Sequence, residues 1–516
     1  MRRVVRFLPF LAVIAVFVAI RCIQWDADPP PTMPNGRLTT ELIAEPIAKA
    51  HEARNYALFG SFSTHPVDNY QFWRAQSPVW VYPLSLAFKL FGPQTNTLGA
   101  FALVGSTLGY IAFLHFARLR LKGVAWVAAA LFLGLNFYQI LYSRVGLLEF
   151  QVMGLVTLSA IFVVRAEKHP LQIIPALIAF FAAFFTKQSA LFFSPVVLVA
   201  FLVAQKAVWS AHYRTAFYRL APVAVAVLLL TGAFFIMRTP DYQRALAWNF
   251  GHVVIGETQH SEINFERVPL LQVLIRPLWW RRWSEGFYLL FPIAGPLALI
   301  RSISLLPALV RRQIRRWEAV TLGTFICALG STLYAKPEGS RFEMILFVPV
   351  SLLAADALSL LGRATTHGGF KWGRWAVLTA LTGALSFDGF HFARWVTTAT
   401  YQVATVRSEI DDAIVTNPAR WAGGPEQPAV AIGLWAGPAV FNTRHYYYYT
   451  KENFNTTKEA MAALQPTHLF LLDVADPTRR FMKLHFTNRF DRLAVRRIWP
   501  TPRGDLTMFV VDGPLP

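Results

Sequence analysis

The sequence predicts an all-α polytopic membrane bundle of about eleven transmembrane helices, followed by a small C-terminal α/β domain outside the membrane. Composition is the first observation behind this prediction: of 516 residues, 55% are hydrophobic and only 15% are charged, which excludes an ordinary soluble protein. Second, lysines and arginines recur in short clusters between long apolar runs, as the positive-inside rule describes. Third, the composition beyond Thr400 changes to that of a soluble domain. The chain therefore divides into a membrane domain, residues 1–399, and a terminal domain, residues 400–516.

The net charge of +20 does not indicate a nucleic-acid partner. A nucleic-acid surface needs one basic stripe with interleaved aromatic residues, and here the basic residues are spread over many short loops. The two cysteines, Cys22 and Cys327, lie in or beside predicted spans. The sequence therefore indicates neither a disulfide framework nor a cysteine-based metal site.

The N-terminal apolar run, Phe7 to Ile20, is predicted to be an uncleaved anchor that starts in the cytoplasm. No small-residue cleavage site follows it, and Arg21 beside Cys22 is incompatible with a lipoprotein signal. Residues 24–94 are therefore placed on the outer side. Within them, Pro78 to Phe91 is too short to cross the membrane comfortably and is predicted to lie at the interface.

The remaining spans are assigned by the charges between them. Every loop assigned to the cytoplasm is short and basic, whereas the two long outer loops, residues 24–94 and 238–285, hold most of the carboxylates. The predicted spans after the anchor are Asn96–Phe116, Val124–Tyr142, Leu147–Val164, Ile173–Phe185, Leu191–Ala204, Pro222–Met237, Phe287–Ile300, Val320–Tyr334, Phe342–Leu361 and Trp375–Phe392.

The terminal domain is predicted to alternate strands with helices. Strand-like apolar runs occur at Ala429–Leu434, His468–Leu472 and Leu506–Val511, and Thr457–Leu464 has a helical pattern. The tyrosine run Tyr446–Tyr449 has two interpretations, a sugar-stacking surface or packing against the membrane domain, and packing is the commoner role.

The stretch Ala44 to Gly60 combines an acid, a histidine and an arginine in a loop between spans. Pro46 suits the first position of a helix, which predicts that Glu45 lies at the helix start with its carboxylate free to project. Lys49, Glu52 and Tyr56 then fall on one side at helical spacing. Alternatively, Glu45 only caps a surface helix. His51 and Arg54, in the same stretch, are candidate contacts to the substrate or its phosphate.

Ionisable residues at the outer ends of spans are further candidates, because charges at membrane depth are costly. Glu149 and Arg144 flank the start of one predicted span, Lys187 lies in the turn TKQS, and Arg341 begins a later span. Any one of them alone could be an interfacial anchor. Several hairpins that each place a charge on the same outer rim are better explained by a shared site.

These motifs resemble the membrane glycosyltransferases of the GT-C fold, in the branch related to aminoarabinose transferase and protein O-mannosyltransferases. The matching pieces are the N-terminal anchor, the acidic motif before ARNYALFG, and the segments SRVGLLE, TKQS and GSRFEMILFVP. The resemblance covers roughly residues 1–400. It departs from the family at Glu45–Pro46, where members typically carry Asp-Glu. The resemblance implies a donor sugar linked to a polyprenyl phosphate, bound among membrane lipids, and a lipid, glycan or protein acceptor.

The implied chemistry assigns roles to the candidates. Polyprenyl phosphate is a good leaving group but needs cations to hold its charge, and Arg144, Lys187, Arg276, Arg281 and Arg341 are predicted to supply them. An acceptor hydroxyl needs a base, for which Glu45 is the predicted residue. Glu149 is predicted to orient the acceptor, and the two glutamates are the predicted ligands if a divalent cation is present.

Two other classes of protein compete with this interpretation, a transporter and a non-catalytic membrane scaffold. A transporter should contain internal repeats and charges near the bilayer midplane, whereas the charges here lie at the outer rim. The sequence contains no Gly-rich nucleotide loop and no HExxH motif, which argues against a sugar-nucleotide donor and against a metalloprotease.

Overall fold

The structure is a computed structural model. It describes residues 8–34, 41–65, 73–210, 216–243, 287, 290–334, 344–364, 372–400, 402–422, 427–433, 435–448, 450, 457–472, 493–501 and 504–515.

The described part of the membrane domain is built mainly from helices. In chain order they are α1 Leu8–Cys22, α2 Glu41–Phe59, α3 Trp73–Gln76, α4 Pro78–Phe91, α5 Thr95–Arg118, α6 Val124–Gly134, α7 Phe137–Tyr142, α8 Glu149–Arg165, α9 Ile173–Phe184, α10 Ser194–Ser210, α11 Ala216–Met237, α12 Ala294–Val310, α13 Arg316–Tyr334, α14 Phe347–Ala364 and α15 Trp372–Thr397.

Within the described ranges, four helical stretches are long and apolar enough to cross a membrane: Thr95–Arg118, Gln188–Ala207, Arg219–Met237 and Met344–Gly362. Other predicted spans, such as Ile173–Phe185, correspond to shorter apolar helices. The helical character of the membrane domain is therefore confirmed, whereas the count of about eleven spans stays a prediction. A helix is observed over Pro78–Phe91, and its location at the membrane interface stays a prediction.

One predicted span, Val124–Tyr142, is broken in two. α6 ends at Gly134 and α7 begins at Phe137. Between them, the Asn136 side chain accepts a hydrogen bond from the backbone N–H of Gln139 and donates one to the Leu290 carbonyl, 3.1 Å away. A side chain that caps a new helix and binds a neighbouring backbone competes with helix continuation, which explains the break.

The predicted helix start at Pro46 is wrong. α2 begins at Glu41, and Pro46 lies inside it. The proline costs the helix one backbone hydrogen bond. Leu42 and Ile47, which flank the proline, are both 2% exposed, so burial of this apolar face outweighs the missing bond. Glu45 therefore does not cap α2, because it lies one turn inside the helix.

α5 and α8 cross with their backbones in contact. A Cβ atom added to Gly154 would lie 2.7 Å from the Gly109 Cα, and one added to Gly109 would lie 3.1 Å from the Gly154 Cα. Small residues at such a crossing allow close helix packing in membranes. The two helices also meet where the turn at Gly146 packs on Leu98 of α5.

The terminal domain packs on α2 and α4. It begins with α16 Gln402–Thr416 and contains a five-stranded sheet of order β2-β1-β3-β5-β4. β1 pairs in parallel with β2 and β3, and β5 is antiparallel to β3 and β4. The remaining elements are β1 Val430–Ile432, α17 Ala436–Val440, β2 Tyr446–Tyr448, α18 Lys458–Leu464, β3 His468–Leu472, β4 Ala494–Thr501 and β5 Gly504–Val510.

An apolar core joins this domain to the membrane domain. It contains Ile47 and Ala50 of α2, Trp80 of α4 and Ile410 of α16, each at most 2% exposed. Tyr447 of β2 adds a hydrogen bond of 3.1 Å from its hydroxyl to the Ile47 carbonyl. For the described tyrosines of the run, the packing interpretation is therefore confirmed.

The three predicted strands and the helix after Thr457 are confirmed, whereas β2 and β4 were not predicted. β2 is only three residues long and carries no alternation of polar and apolar residues. β4 is an edge strand whose outer positions, including Arg496 and Arg497, are exposed. Charged residues and a proline are typical of edge strands, where they prevent pairing with another chain. They also interrupt the alternation of apolar and polar residues by which a strand is predicted from sequence.

His468 makes the stability of the terminal domain depend on pH. Its ring is 1% exposed, with Nε2 3.0 Å from the Asn417 carbonyl. Burial lowers the pKa of His468 from 6.5 to about 4. Because the unfolded chain binds the extra proton between these pH values, stability present at pH 7 is lost as the pH falls toward 4. We expect the free energy of unfolding to be about 2 kcal/mol lower at pH 5 than at pH 8, measured by chemical unfolding at both pH values.

The variant His468→Gln is the control, because glutamine does not titrate. Other groups, including His445, whose pKa is also lowered by burial, still contribute a pH dependence in this variant. The difference between parent and variant isolates His468. Identical pH profiles for the two proteins would contradict the prediction.

Candidate active site

The first part of the site is a pair of charges on α2. Glu45 and Lys49 are one helical turn apart, and their carboxylate and ammonium groups are 3.0 Å apart. The Lys49 side chain is 1% exposed, whereas that of Glu45 is 23% exposed. The buried ammonium thus places a positive charge beside a carboxylate that remains accessible.

The second part comes from the turn between α7 and α8. Gly146 has a φ of +25°, and a Cβ at this position would lie 2.7 Å from Leu98, so the turn requires glycine. Glu149 is the first residue of α8, and its side chain is 2% exposed. A carboxylate in the first turn of a helix is stabilised by the helix dipole.

The third part is Lys187, which follows the last turn of α9. Its backbone is extended at φ −159° and ψ 133°, and this ends the helix and directs the chain into the 3₁₀ turn Gln188–Phe193. The Lys187 ammonium forms an ion pair with the Glu149 carboxylate. The charge of Lys49 acts on the same carboxylate. Glu45, Lys49, Glu149 and Lys187 therefore form a group of alternating charges, called here the charge cluster.

A second group of polar contacts connects the chain segments next to the charge cluster. Arg74 donates its backbone N–H to the buried Glu52 carboxylate, and its guanidinium donates to Asp241 at 2.5 Å. Gln188, next to Lys187, donates to the Tyr242 hydroxyl at 3.0 Å. These contacts connect α2, α3 and the first residues of the second outer loop.

His51 and Arg54 face the terminal domain. The Arg54 guanidinium donates to the carbonyl groups of Phe441, Thr443 and His445, each at 2.8 Å. Burial lowers the pKa of Arg54 to about 10, so the side chain is still charged at neutral pH. His51 packs edge-on against Tyr447, with ring centroids 4.7 Å apart. The observed contacts connect the two domains, and substrate binding by either residue stays a prediction.

Arg144 lines a separate cavity of about 440 Å³. Its guanidinium donates to the carbonyl groups of Ile23, Gln24 and Trp25, which follow α1. It also lies over the Trp395 ring, 5.0 Å from the centroid. The structure thus places Arg144 away from the ion pairs of the charge cluster, and its role as a phosphate ligand stays a prediction. The other predicted phosphate ligands, Arg276, Arg281 and Arg341, lie outside the described residues.

The two glutamates do not fit a divalent cation. Glu45 contacts Lys49 and Glu149 contacts Lys187, whereas a cation site needs carboxylates that converge on the metal. In the part of the chain that the structure describes, no group of three or more histidine, cysteine, aspartate or glutamate side chains could hold a metal ion.

Sequence analysis placed Lys49 on the side of α2 shared by Glu52 and Tyr56 but did not assign it to the site. The signal was present, because an acid and a lysine four residues apart are neighbours on a helix. Arg407, whose side chain is half-buried at the cavity, carried no comparable signal. It lies in the terminal domain and reaches the cavity only through the packing of that domain.

Comparison with solved structures finds the same fold in two membrane enzymes. Crystal structures of ArnT, an aminoarabinose transferase from Cupriavidus metallidurans, cover 98% of this chain and 98% of their own. The apo structure has a TM-score of 0.56 at 12% identity, and the structure bound to undecaprenyl phosphate has a TM-score of 0.54 at 13% identity.

The crystal structure of the Archaeoglobus fulgidus oligosaccharyltransferase, in complex with Zn and sulfate, is also similar. It covers 97% of this chain and 73% of its own, with a TM-score of 0.53 at 13% identity. Both enzymes have the GT-C fold, so the predicted resemblance in fold is confirmed. No protein-family model matches the sequence, and no curated protein sequence matches it.

Proposed function

We propose that this protein is an integral membrane glycosyltransferase that moves a sugar from a polyprenyl-phosphate donor to a hydroxyl group of its acceptor. The observation that carries the proposal is the charge cluster, in which a partly open carboxylate and two lysines lie at one site of a GT-C fold. One structural neighbour, ArnT, has been crystallised with undecaprenyl phosphate. A ligand of that class has both an apolar tail for the membrane and a phosphate for the lysines.

In this proposal Glu45 is the general base. Its carboxylate accepts the proton of the acceptor hydroxyl while the acceptor oxygen bonds to the anomeric carbon of the sugar. The bond between the anomeric carbon and the phosphate oxygen breaks, and its electron pair leaves with the polyprenyl phosphate. Glu45 is suited to this step because 23% of its side chain is exposed and Lys49 favours its ionised form.

Lys187 stabilises the phosphate, and Glu149 holds Lys187 in place. The four charges of the cluster sum to zero, so a bound phosphate adds an uncompensated negative charge. Further cations are needed to balance it, and we assign this role to the predicted residues Arg276, Arg281 and Arg341. Glu149, at 2% exposure, is less accessible than Glu45 and acts by orienting its partners and the acceptor.

We also propose in which membrane the protein lies and how its chain is oriented there. The protein lies in the plasma (inner) membrane with about eleven spans and a cytoplasmic N-terminus. The loops 24–94 and 238–285 and the terminal domain lie outside, because this arrangement keeps the basic loops in the cytoplasm. The charge cluster then opens to the outer face, where the acceptor is reached.

The function is tested with the purified protein in detergent and a polyprenyl phosphate that carries a radiolabelled sugar. Transfer of label to a hydroxyl acceptor from a membrane extract supports the proposal. Binding of the labelled donor without any transfer would instead support the scaffold alternative. Uptake of label into sealed vesicles that contain the protein, again without transfer, would support a transporter.

Replacement of Lys187 by alanine is expected to weaken donor binding by about tenfold to a hundredfold, since a hydrogen bond to a charged group contributes about 1.5–3 kcal/mol. Lys187→Arg, which retains the charge, should lose less. Binding is measured by competition with a labelled polyprenyl phosphate. Lys168→Ala, at an exposed lysine in a predicted cytoplasmic loop, is the matched control and should bind as the parent does. Parental affinity in a folded Lys187→Ala variant would remove Lys187 from the phosphate site.

A further inference from the structure

The cavity that Arg144 lines is a second site, distinct from the charge cluster. Its volume of about 440 Å³ lies within the range of ligand sites, roughly 300–1000 Å³. Six parts of the chain meet around it: the segment after α1, the first turns of α2, the start of α5, the end of α7 with the turn that follows it, α15 and the terminal domain. None of the four residues of the charge cluster, all of which are described, contributes to its wall.

The wall offers an aromatic ring and open hydrogen-bonding groups. The Trp25 side chain is half-buried, and its ring edge packs on Gly99 of α5, where an added Cβ would lie 3.1 Å from the ring. The Arg144 guanidinium lies over one face of the ring, 5.6 Å from the centroid, so a ligand would stack on the opposite face. The neighbouring Asp26 is exposed, and its carboxylate accepts no hydrogen bond from the described residues. The Asn96 side chain, also at the cavity, is an exposed amide, whereas the exposed Asn442 amide is already hydrogen-bonded to Thr95.

The charges of the cavity balance. Asp26 and Asp28 oppose Arg144 and Arg407, and both aspartates act electrostatically on Arg407. Arg144 donates to three backbone carbonyls.

Arg407 is likewise engaged with the protein. Its guanidinium donates to the Pro438 carbonyl at 2.9 Å and to the Thr95 hydroxyl at 3.1 Å. With both guanidinium groups bound to the protein and a carboxylate exposed beside them, an anion would meet repulsion from Asp26. A neutral ligand with hydroxyl donors would not meet this repulsion.

We propose that this cavity binds a neutral saccharide unit. A sugar ring stacks on tryptophan through its apolar face, and its hydroxyl groups donate to the Asp26 carboxylate and exchange hydrogen bonds with the Asn96 amide. Pro46 and Ile47 line the cavity and directly follow Glu45. The saccharide is therefore that of the acceptor, a part of the inference that rests on the proposed function.

Saccharide binding is tested without the lipid donor and without turnover. Saturation-transfer NMR on the full protein in detergent uses four neutral probes, the methyl glycosides of mannose, glucose, galactose and xylose. We expect at least one of them to receive saturation, with an affinity at least fivefold weaker in Asp26→Asn and in Asn96→Ala. Both side chains are exposed, so neither change disturbs the core. Asp412→Asn, at an exposed carboxylate of α16 outside the cavity wall, should bind as the parent does.

Three outcomes would overturn the inference. They are absence of saturation transfer to all four glycosides, parental affinity in both cavity variants, and displacement of a bound glycoside by millimolar inorganic phosphate. Because the measurement needs no transfer reaction, failure of the proposed glycosyltransferase activity leaves its result unchanged. Glycoside binding together with an inactive protein would contradict the acceptor assignment and leave the saccharide site standing.

Discussion

Glu45→Gln is expected to reduce kcat by roughly two to four orders of magnitude, because a glutamine cannot accept the acceptor proton. Glutamine still accepts a hydrogen bond from Lys49, but the Lys49 ammonium is buried and loses its opposing charge, so the free energy of unfolding should fall by about 1–3 kcal/mol. Single-turnover transfer from a labelled donor measures the rate. Donor binding, measured separately, should remain near that of the parent.

Glu149→Gln is the matched comparison for Glu45→Gln. Both variants exchange a carboxylate that contacts a lysine for a neutral amide. A residue that positions the acceptor should affect KM more than kcat, whereas the base should affect kcat. If Glu45→Gln transfers sugar at nearly the parent rate and Glu149→Gln is inactive, the base is Glu149 and the assignment of roles is reversed.

Arg54→Ala is expected to lower the free energy of unfolding by at least about 3 kcal/mol, because it leaves buried carbonyl groups without their charged donor. The Arg54 side chain is fully buried, and its Nη2 donates to two of those carbonyls, Thr443 and His445. The loss should appear as earlier chemical unfolding in detergent and as faster proteolysis of the terminal domain. Arg54→Lys should be intermediate, since an ammonium restores charge without the planar fork.

Arg497→Ala is the matched control for Arg54→Ala. Arg497 also belongs to an ionic contact, with Glu409 at 3.1 Å, but its side chain is 56% exposed. Exposed pairs of this kind contribute at most about 1 kcal/mol. Unfolding of Arg54→Ala at the same denaturant concentration as Arg497→Ala would show that the carbonyl contacts do not hold the domains together.

The features that sequence analysis predicted correctly are those with a local signal. The helix Pro78–Phe91 has the predicted bounds because its apolar pattern is strong, and the helix Lys458–Leu464 begins directly after Thr457, whose side chain caps it. Lys187 and Glu149, which form an ion pair, were both predicted from the sequence as charges at the outer ends of spans. Local chemistry was sufficient to nominate the residues, though not to pair them.

The features that were missed depend on contacts between distant parts of the chain. α2 starts before Pro46 because its apolar face is buried against other elements. The local preference of proline for a helix start does not include the free energy gained by this burial. The contacts of Arg54 with the terminal domain were missed because its partners at residues 441–445 lie almost four hundred residues away. The cavity beside Arg144 needs the terminal domain for part of its wall, so no single segment of the sequence could have indicated it.

The glycine crossing of α5 and α8 determines which parts of the protein can move during a reaction cycle. Because Gly109 and Gly154 leave no space for even a methyl group, one helix cannot slide past the other without separating from it. The turn at Gly146 ties the same two helices together again just before Glu149. Glu149 therefore lies on a helix whose position is fixed against α5, whereas Glu45 lies on α2, which packs against the terminal domain.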